Sequence, residues 1–163
     1  MVTLKEIKFK NTTDSSSELL VIGHFKNVNI KNSITYLSSD DKDKILKEVS
    51  KDLSKSDEGE NSIIYGSDKF KKIMFYNLGE KGKITNDKLR AHGAKLYSLM
   101  NSKKNSSTNI DAKSFSMSNK KNAQAIVEGL ILGSYSFEDY KSKKSKKNSL
   151  TEIFLLGKVD QNI

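Results

Sequence analysis

Cysteine, proline and tryptophan are all missing from this chain. Without cysteine there is no disulfide framework and no thiolate metal site, which suits a reducing compartment. The loss of proline and tryptophan accompanies abundant lysine, asparagine, serine and isoleucine, a pattern that an A- and T-rich codon bias yields without functional selection. Arginine is reduced to Arg90. The planar fork that reads guanine or clamps phosphate is therefore scarce, and this weakens the nucleic-acid reading that a formal charge of +9 invites. Long apolar runs are lacking too. "LLVIG" and "IFLLG" are far too short for a bilayer, and the start "MVTLKEIKFK" lacks the apolar stretch of a secretion signal. The expectation is a cytoplasmic protein with no membrane partner.

What remains suits one folded domain, residues 1–163, since apolar segments recur regularly within a highly charged chain. Val2 to Lys10 alternates as a half-exposed strand, and "NTTDSSS" after it reads as a polar turn. Glu18 to Phe25 is apolar on both faces, as a covered central strand would be. "SSDDKDKILKEVSKDLSK" reads as a helix with Ser38 and Asp41 as a capping box and Ile45, Val49 and Leu53 inward. Two strands follow, Ser62 to Tyr65 and Lys72 to Asn77, around a turn at Gly66 to Lys69. A second helix has Thr85 or Asn86 as cap and Leu89, Leu96 and Met100 inward. A short strand near Ile110 to Phe115 precedes a third helix capped by Ser118 or Asn119, and Leu150 to Leu156 closes as a strand. Alternating strands and helices imply a three-layer α/β fold with a mostly parallel or mixed sheet.

Several places could carry chemistry. Gly79 and Gly82 in "LGEKGK" (Leu78 to Lys83) lie between strand and helix, where backbone amides can cradle phosphate. The segment lacks both the Rossmann and the phosphate-loop signatures, so a turn requiring positive φ is the preferred reading. His24 and His92 have no third ligand at a zinc spacing and read as structural or surface histidines. Glu58 and Glu60 in "SDEGEN" read as a solvated acidic loop with nothing to hold them rigidly. The lysine run Lys141 to Lys147 reads as a solvated connection, with a polyanion-binding arm as the alternative. Ala125, Gly129 and Gly133 recur one helical turn apart, a stripe that admits close backbone approach. We expect it to clamp the third helix against the sheet, with Tyr135 and Phe137 anchoring the exit.

The same region, "AIVEGLILGSYSFEDYKSKK…SLTEIFLL", resembles the end of the amino-terminal domain of the leucine (cytosol) aminopeptidases. There an Ala/Val-Glu-Gly helix leads into Tyr-x-Phe-x-x-Tyr-Lys-Ser, matched by Tyr135, Phe137, Tyr140, Lys141 and Ser142. The likeness extends in order from Glu18 to Leu156, and it departs where Asn77 replaces the first glycine of the usual Gly-Leu-Gly.

The resemblance implies a macrodomain-like amino-terminal domain, attached to a carboxy-terminal catalytic domain that holds two divalent metals, zinc, manganese or magnesium. It further implies a hexamer in which this part supports packing and access to the active site. The family's Asn-Thr-Asp-Ala-Glu-Gly-Arg stretch has no counterpart, and "SDEGENS" shares its letters but not its context. No catalytic, cofactor-binding or metal residue is therefore assigned within this chain. The alternative is a freestanding macrodomain-like module that binds an ADP-ribose-like nucleotide or nucleic acid.

Overall fold

The computed structural model describes residues 6–10, 19–26, 28, 39–65, 70–102, 107–117, 119–140, 150 and 152–157, with side chains in all but 9–10, 49–54 and 136–140. The elements are β1 (Glu6–Lys10), β2 (Leu19–Lys26), α1 (Ser39–Lys55), β3 (Asn61–Tyr65), β4 (Lys72–Glu80), α2 (Asn86–Asn101), β5 (Ser107–Asp111), α3 (Lys120–Tyr140) and β6 (Glu152–Leu156). One six-stranded sheet runs β1-β6-β5-β2-β4-β3. Every pairing is parallel except that of β3 with β4. The mixed α/β architecture agrees with the sequence expectation.

β2 lies inside the sheet, and all its residues but Lys26 are buried. Its alternation sends Leu19, Val21 and Phe25 into a core shared with Leu89, Leu96 and Met100 of α2 and Ile126 and Leu130 of α3. Leu20 and Ile22 join Ile45 of α1, Ile73 and Phe75 in a second core. Strand residues of opposite parity thus feed different clusters, which makes the three layers. Among the described residues no helix is long and apolar enough to cross a membrane.

Local chemistry sets the element ends. Thr85, not Asn86, caps α2: its Oγ1 accepts from Lys88 N at 3.2 Å. Asn119 Oδ1 accepts from Lys121 N at 2.9 Å at the start of α3. The strand expected at Ile110 to Phe115 instead ends at Asp111, and a 3-10 turn follows at Lys113–Phe115. Ser114 Oγ donates to the Asp111 carbonyl at 2.6 Å, and Ser116 is left-handed at φ 56°; these bend the chain away from the sheet. The Ser38 cap, the polar turn 11–17, the turn 66–69, the Ser118 cap and the Lys141–Lys147 run lie outside the described residues, as do the side chains of Val49, Leu53, Phe137 and Tyr140.

The small-residue stripe of α3 packs on α2, a correction to the expected clamp against the sheet. A Cβ on Gly133 would fall 2.7 Å from Ala94 Cα, and one on Gly129 would overlap the Arg90 carbonyl. Gly93 answers from α2, where a Cβ would lie 2.5 Å from the Ile126 carbonyl oxygen. Arg90 joins the helices at the rim, with Nε 2.7 Å from Glu128 and Nη1 2.8 Å from Asp87. The helix exit also differs from expectation, because Tyr135 is 58% exposed and anchors nothing within the core.

Gly129→Ala is expected to destabilise the chain by about 3 kcal/mol, since neither backbone has a soft neighbour to displace. Gly82→Ala, with nothing within 4 Å of the added carbon, should stay within about 0.5 kcal/mol of the parent. Urea unfolding of both variants checks the contrast.

Candidate functional site

In open α/β sheets the carboxyl ends of the strands are where ligands collect. Here the end of β4 meets the loop that leads into β3. Gly59 N donates to the Asn77 carbonyl at 2.8 Å, and Asn77 N donates to the Glu60 carbonyl at 2.9 Å. The buried Asn77 amide works on both sides. Nδ2 donates to the Ser56 carbonyl at 3.1 Å and to Ser56 Oγ at 2.8 Å, while Oδ1 accepts from Gly79 N at 2.7 Å. Gly79 holds φ +84°, as the turn reading requires, while Gly82 shows no positive φ. The Gly79 amide is committed to Asn77, so it is not presented to a phosphate.

His92 and Glu58, far apart in sequence, meet at this turn. His92 Nε2 lies 2.9 Å from Glu58 Oε1, and His92 Nδ1 lies 2.7 Å from the Tyr76 hydroxyl. An ionised carboxylate only accepts, so Nε2–H donates to Glu58 and Nδ1 accepts from Tyr76. Burial pulls the His92 imidazole below its usual range, against the opposing effect of Glu58. Burial, then the charge of Glu58, pushes the Tyr76 hydroxyl above the usual tyrosine range. The chain of bonds ends on a fully buried phenol. It holds the loop in place and offers no activated nucleophile. Asp57, Glu58 and Glu60 are exposed, as a solvated loop would be, but the loop is tied to α2 and β4, contrary to the expectation that nothing holds it. Glu60 adds a bond of its own, accepting from Asp57 N at 3.0 Å.

Beside Glu58 opens a cleft of about 450 Å³, whose wall includes Lys26, Lys83 and Lys88 with Asp57, Glu58 and Glu80. Cations and carboxylates balance there, and Lys83 pairs with Glu80 at 3.2 Å, so the wall carries no field of one sign to draw a polyanion. Between β2 and β5, Gly23 N donates to Ser114 Oγ at 2.8 Å. A Cβ at Gly23 would meet Ser114 O at 3.0 Å and Phe115 at 3.1 Å, so the chain's own turn fills this crevice. Among the described residues no group of three or more His, Asp or Glu could hold a metal ion.

His24 is buried at 5% exposure, and its Nε2 has no hydrogen-bond partner among the described residues. Burial lowers its pKa from 6.5 to about 4. Above pH 6.5 the imidazole is neutral in both states. Below it the unfolded chain takes up a proton that the folded chain refuses, so stability falls until about pH 4. The expected loss is about 3 kcal/mol across that window, and His24→Leu should remove most of it in pH-resolved urea unfolding. His92 adds a slope of the same sign. Separately, Asn77→Ala removes the bonds to the half-buried Ser56 and leaves the buried Gly79 amide without its acceptor, and should lower stability by about 2–3 kcal/mol at neutral pH, read from the same unfolding curves.

The family model described as "Cytosol aminopeptidase family, N-terminal domain" matches residues 21–144. A probable cytosol aminopeptidase of Clostridium perfringens is 30% identical over 87% of this chain and 28% of its own length. Another, from Aquifex aeolicus, is 33% identical over 55% of this chain and 18% of its own. The chain therefore spans less than a third of either relative. Among solved structures, a tomato leucine aminopeptidase mutant superposes with TM-score 0.65 at 17% identity, over 98% of this chain and 34% of that one. The bottromycin maturation enzyme BotP gives 0.58 at 13% identity, over 88% of this chain and 28% of that one. BotP in complex with Mn gives 0.56 at 15% identity, over 88% and 27%. These structures share the fold. The match over residues 21–144 places the chain in the cytosol aminopeptidase family, as the N-terminal domain of that family.

Proposed function

We propose that this chain is a single accessory domain, without catalytic activity of its own, of a metal-dependent leucyl aminopeptidase. The observation that carries the reading is the family match, which falls on the N-terminal domain. The internal commitment of the polar cluster agrees with it: Tyr76, His92, Glu58 and Asn77 bond to one another or to the turn. In this reading a carboxy-terminal domain supplies two divalent metals, zinc, manganese or magnesium. Such a pair activates water and polarises the scissile carbonyl of a peptide's first bond. The accessory domain contributes packing between subunits, of a hexamer in the parent enzyme, and shapes the approach to the neighbouring active site. The relatives' name, cytosol aminopeptidase, supports a cytoplasmic setting.

The purified chain is expected to leave leucine para-nitroanilide intact with manganese or zinc added. Metal-dependent turnover that co-purifies with the chain and scales with its concentration defeats the reading.

A further inference from the structure

We infer that the outer edge of β3 pairs antiparallel with β3 of a second copy of this chain, joining two sheets across a two-fold axis. β3 stands last in the sheet and pairs with β4 on one side. Among the described residues no strand covers its other side, so alternate N–H and C=O groups of Asn61–Tyr65 point outward. Folded proteins guard such edges with charge or proline. The stretch "NSIIY" contains neither. The opposite edge, β1, reads "EIKFK" and is charged along its length.

The edge side chains are also unfinished. Ile63 is half-buried against the main core and Ile64 against the second, one on each face. A neighbouring strand would cover the rest of both, together with Tyr65, which is 68% exposed.

Self-complementarity and charge select a second copy as the occupant. Centred on Ile63, antiparallel pairing sets Asn61 opposite Tyr65 and Ser62 opposite Ile64. Asp57, Glu58 and Glu60 precede β3 in sequence, whereas after it Lys69, Lys71 and Lys72 outnumber Asp68, Lys72 being the register partner of Tyr65. A two-fold axis brings the acidic end of one copy to the basic end of the other, at roughly the 10 Å screening distance of 0.1 M salt. Elsewhere the net charge of +9 makes two copies repel.

This inference deepens the assembly part of the accessory-domain reading and rests on that reading for its setting. Its test is sedimentation velocity of the whole chain from micromolar to millimolar concentration, with deuterium exchange in parallel. A monomer–dimer equilibrium is expected, in which the outward β3 amides gain protection as concentration rises. Ile63→Lys, which sets like charges opposite each other, and Tyr65→Glu, an exposed position that leaves the core intact, should each weaken the dimer at least about tenfold. Leu132→Lys, on the exposed side of α3, should leave it unchanged. Dimers that survive Tyr65→Glu with unprotected β3 amides overturn the strand pairing while leaving assembly through another surface. A wild-type chain that stays monomeric at millimolar concentration overturns both.

Discussion

The backbone contact between α2 and α3 is the constraint on which the rest depends. Where Gly93 and Gly129 face the opposite helix there is no side chain to act as a spacer, so the approach is set by carbonyl oxygens and Cα atoms. Such a contact has little give, because dispersion is forfeited by a gap of less than an ångström. His92 neighbours Gly93, and the fixed helix therefore delivers its imidazole to Tyr76 on one side and Glu58 on the other. Hydrogen bonds of this length tolerate only small displacements. A looser helix pair would lose the polar cluster before it lost the hydrophobic core.

That cluster settles a question the apolar pattern leaves open. β3 carries adjacent isoleucines, one for each face, so slipping it by one residue on β4 would still present an isoleucine to each core. Strands specified in this way are prone to register errors. The polar anchors just before β3 do not allow the slip. Gly59 and Glu60 bond to the Asn77 backbone, the Asn77 side chain bonds to Ser56, and Glu58 reaches His92. Gly59, Asn77 and His92 are buried and Ser56 half-buried, and a displaced register would break several of these bonds at once, at about 1–3 kcal/mol each. Asn77 is thus the residue that ties loop, strand and turn together.

Much of this was legible in the sequence, and the missing part has one physical cause. Periodicity reports which face of an element is apolar or small, and it identified β2 as a doubly covered strand, the inward residues of α2 and the close-approach stripe of α3. It carries no information about what lies opposite, so a stripe that suggests packing on the sheet packs instead on α2. The pairing of His92 with Glu58 escaped for the same reason, since their meeting is made by the β4–α2 turn and no local spacing encodes it. The end of β5 was misplaced because Ser114 and Ser116, ordinary in a strand pattern, bend the chain through a side-chain bond to Asp111 and a left-handed backbone. Asn77 is plain in the sequence, but its role is evident only from its three side-chain hydrogen bonds, two to Ser56 and one from Gly79.

The distribution of charge completes the picture. A lysine-rich surface keeps molecules of this kind apart at any orientation that lacks a compensating partner. In the described region the positive charge is dispersed: Lys83 answers Glu80, Arg90 answers Asp87 and Glu128, and Lys8 answers Glu6 on β1. Repulsion is therefore diffuse, and it is weakest where charge is missing. The sheet has two edges with equal backbone capacity to pair, yet charge lines β1 and is absent from β3. Both strands have five residues, so length does not account for the difference. Among the described residues one edge carries charge and the other none, a difference that favours extension of the sheet at β3 and involves no residue that would disturb either core.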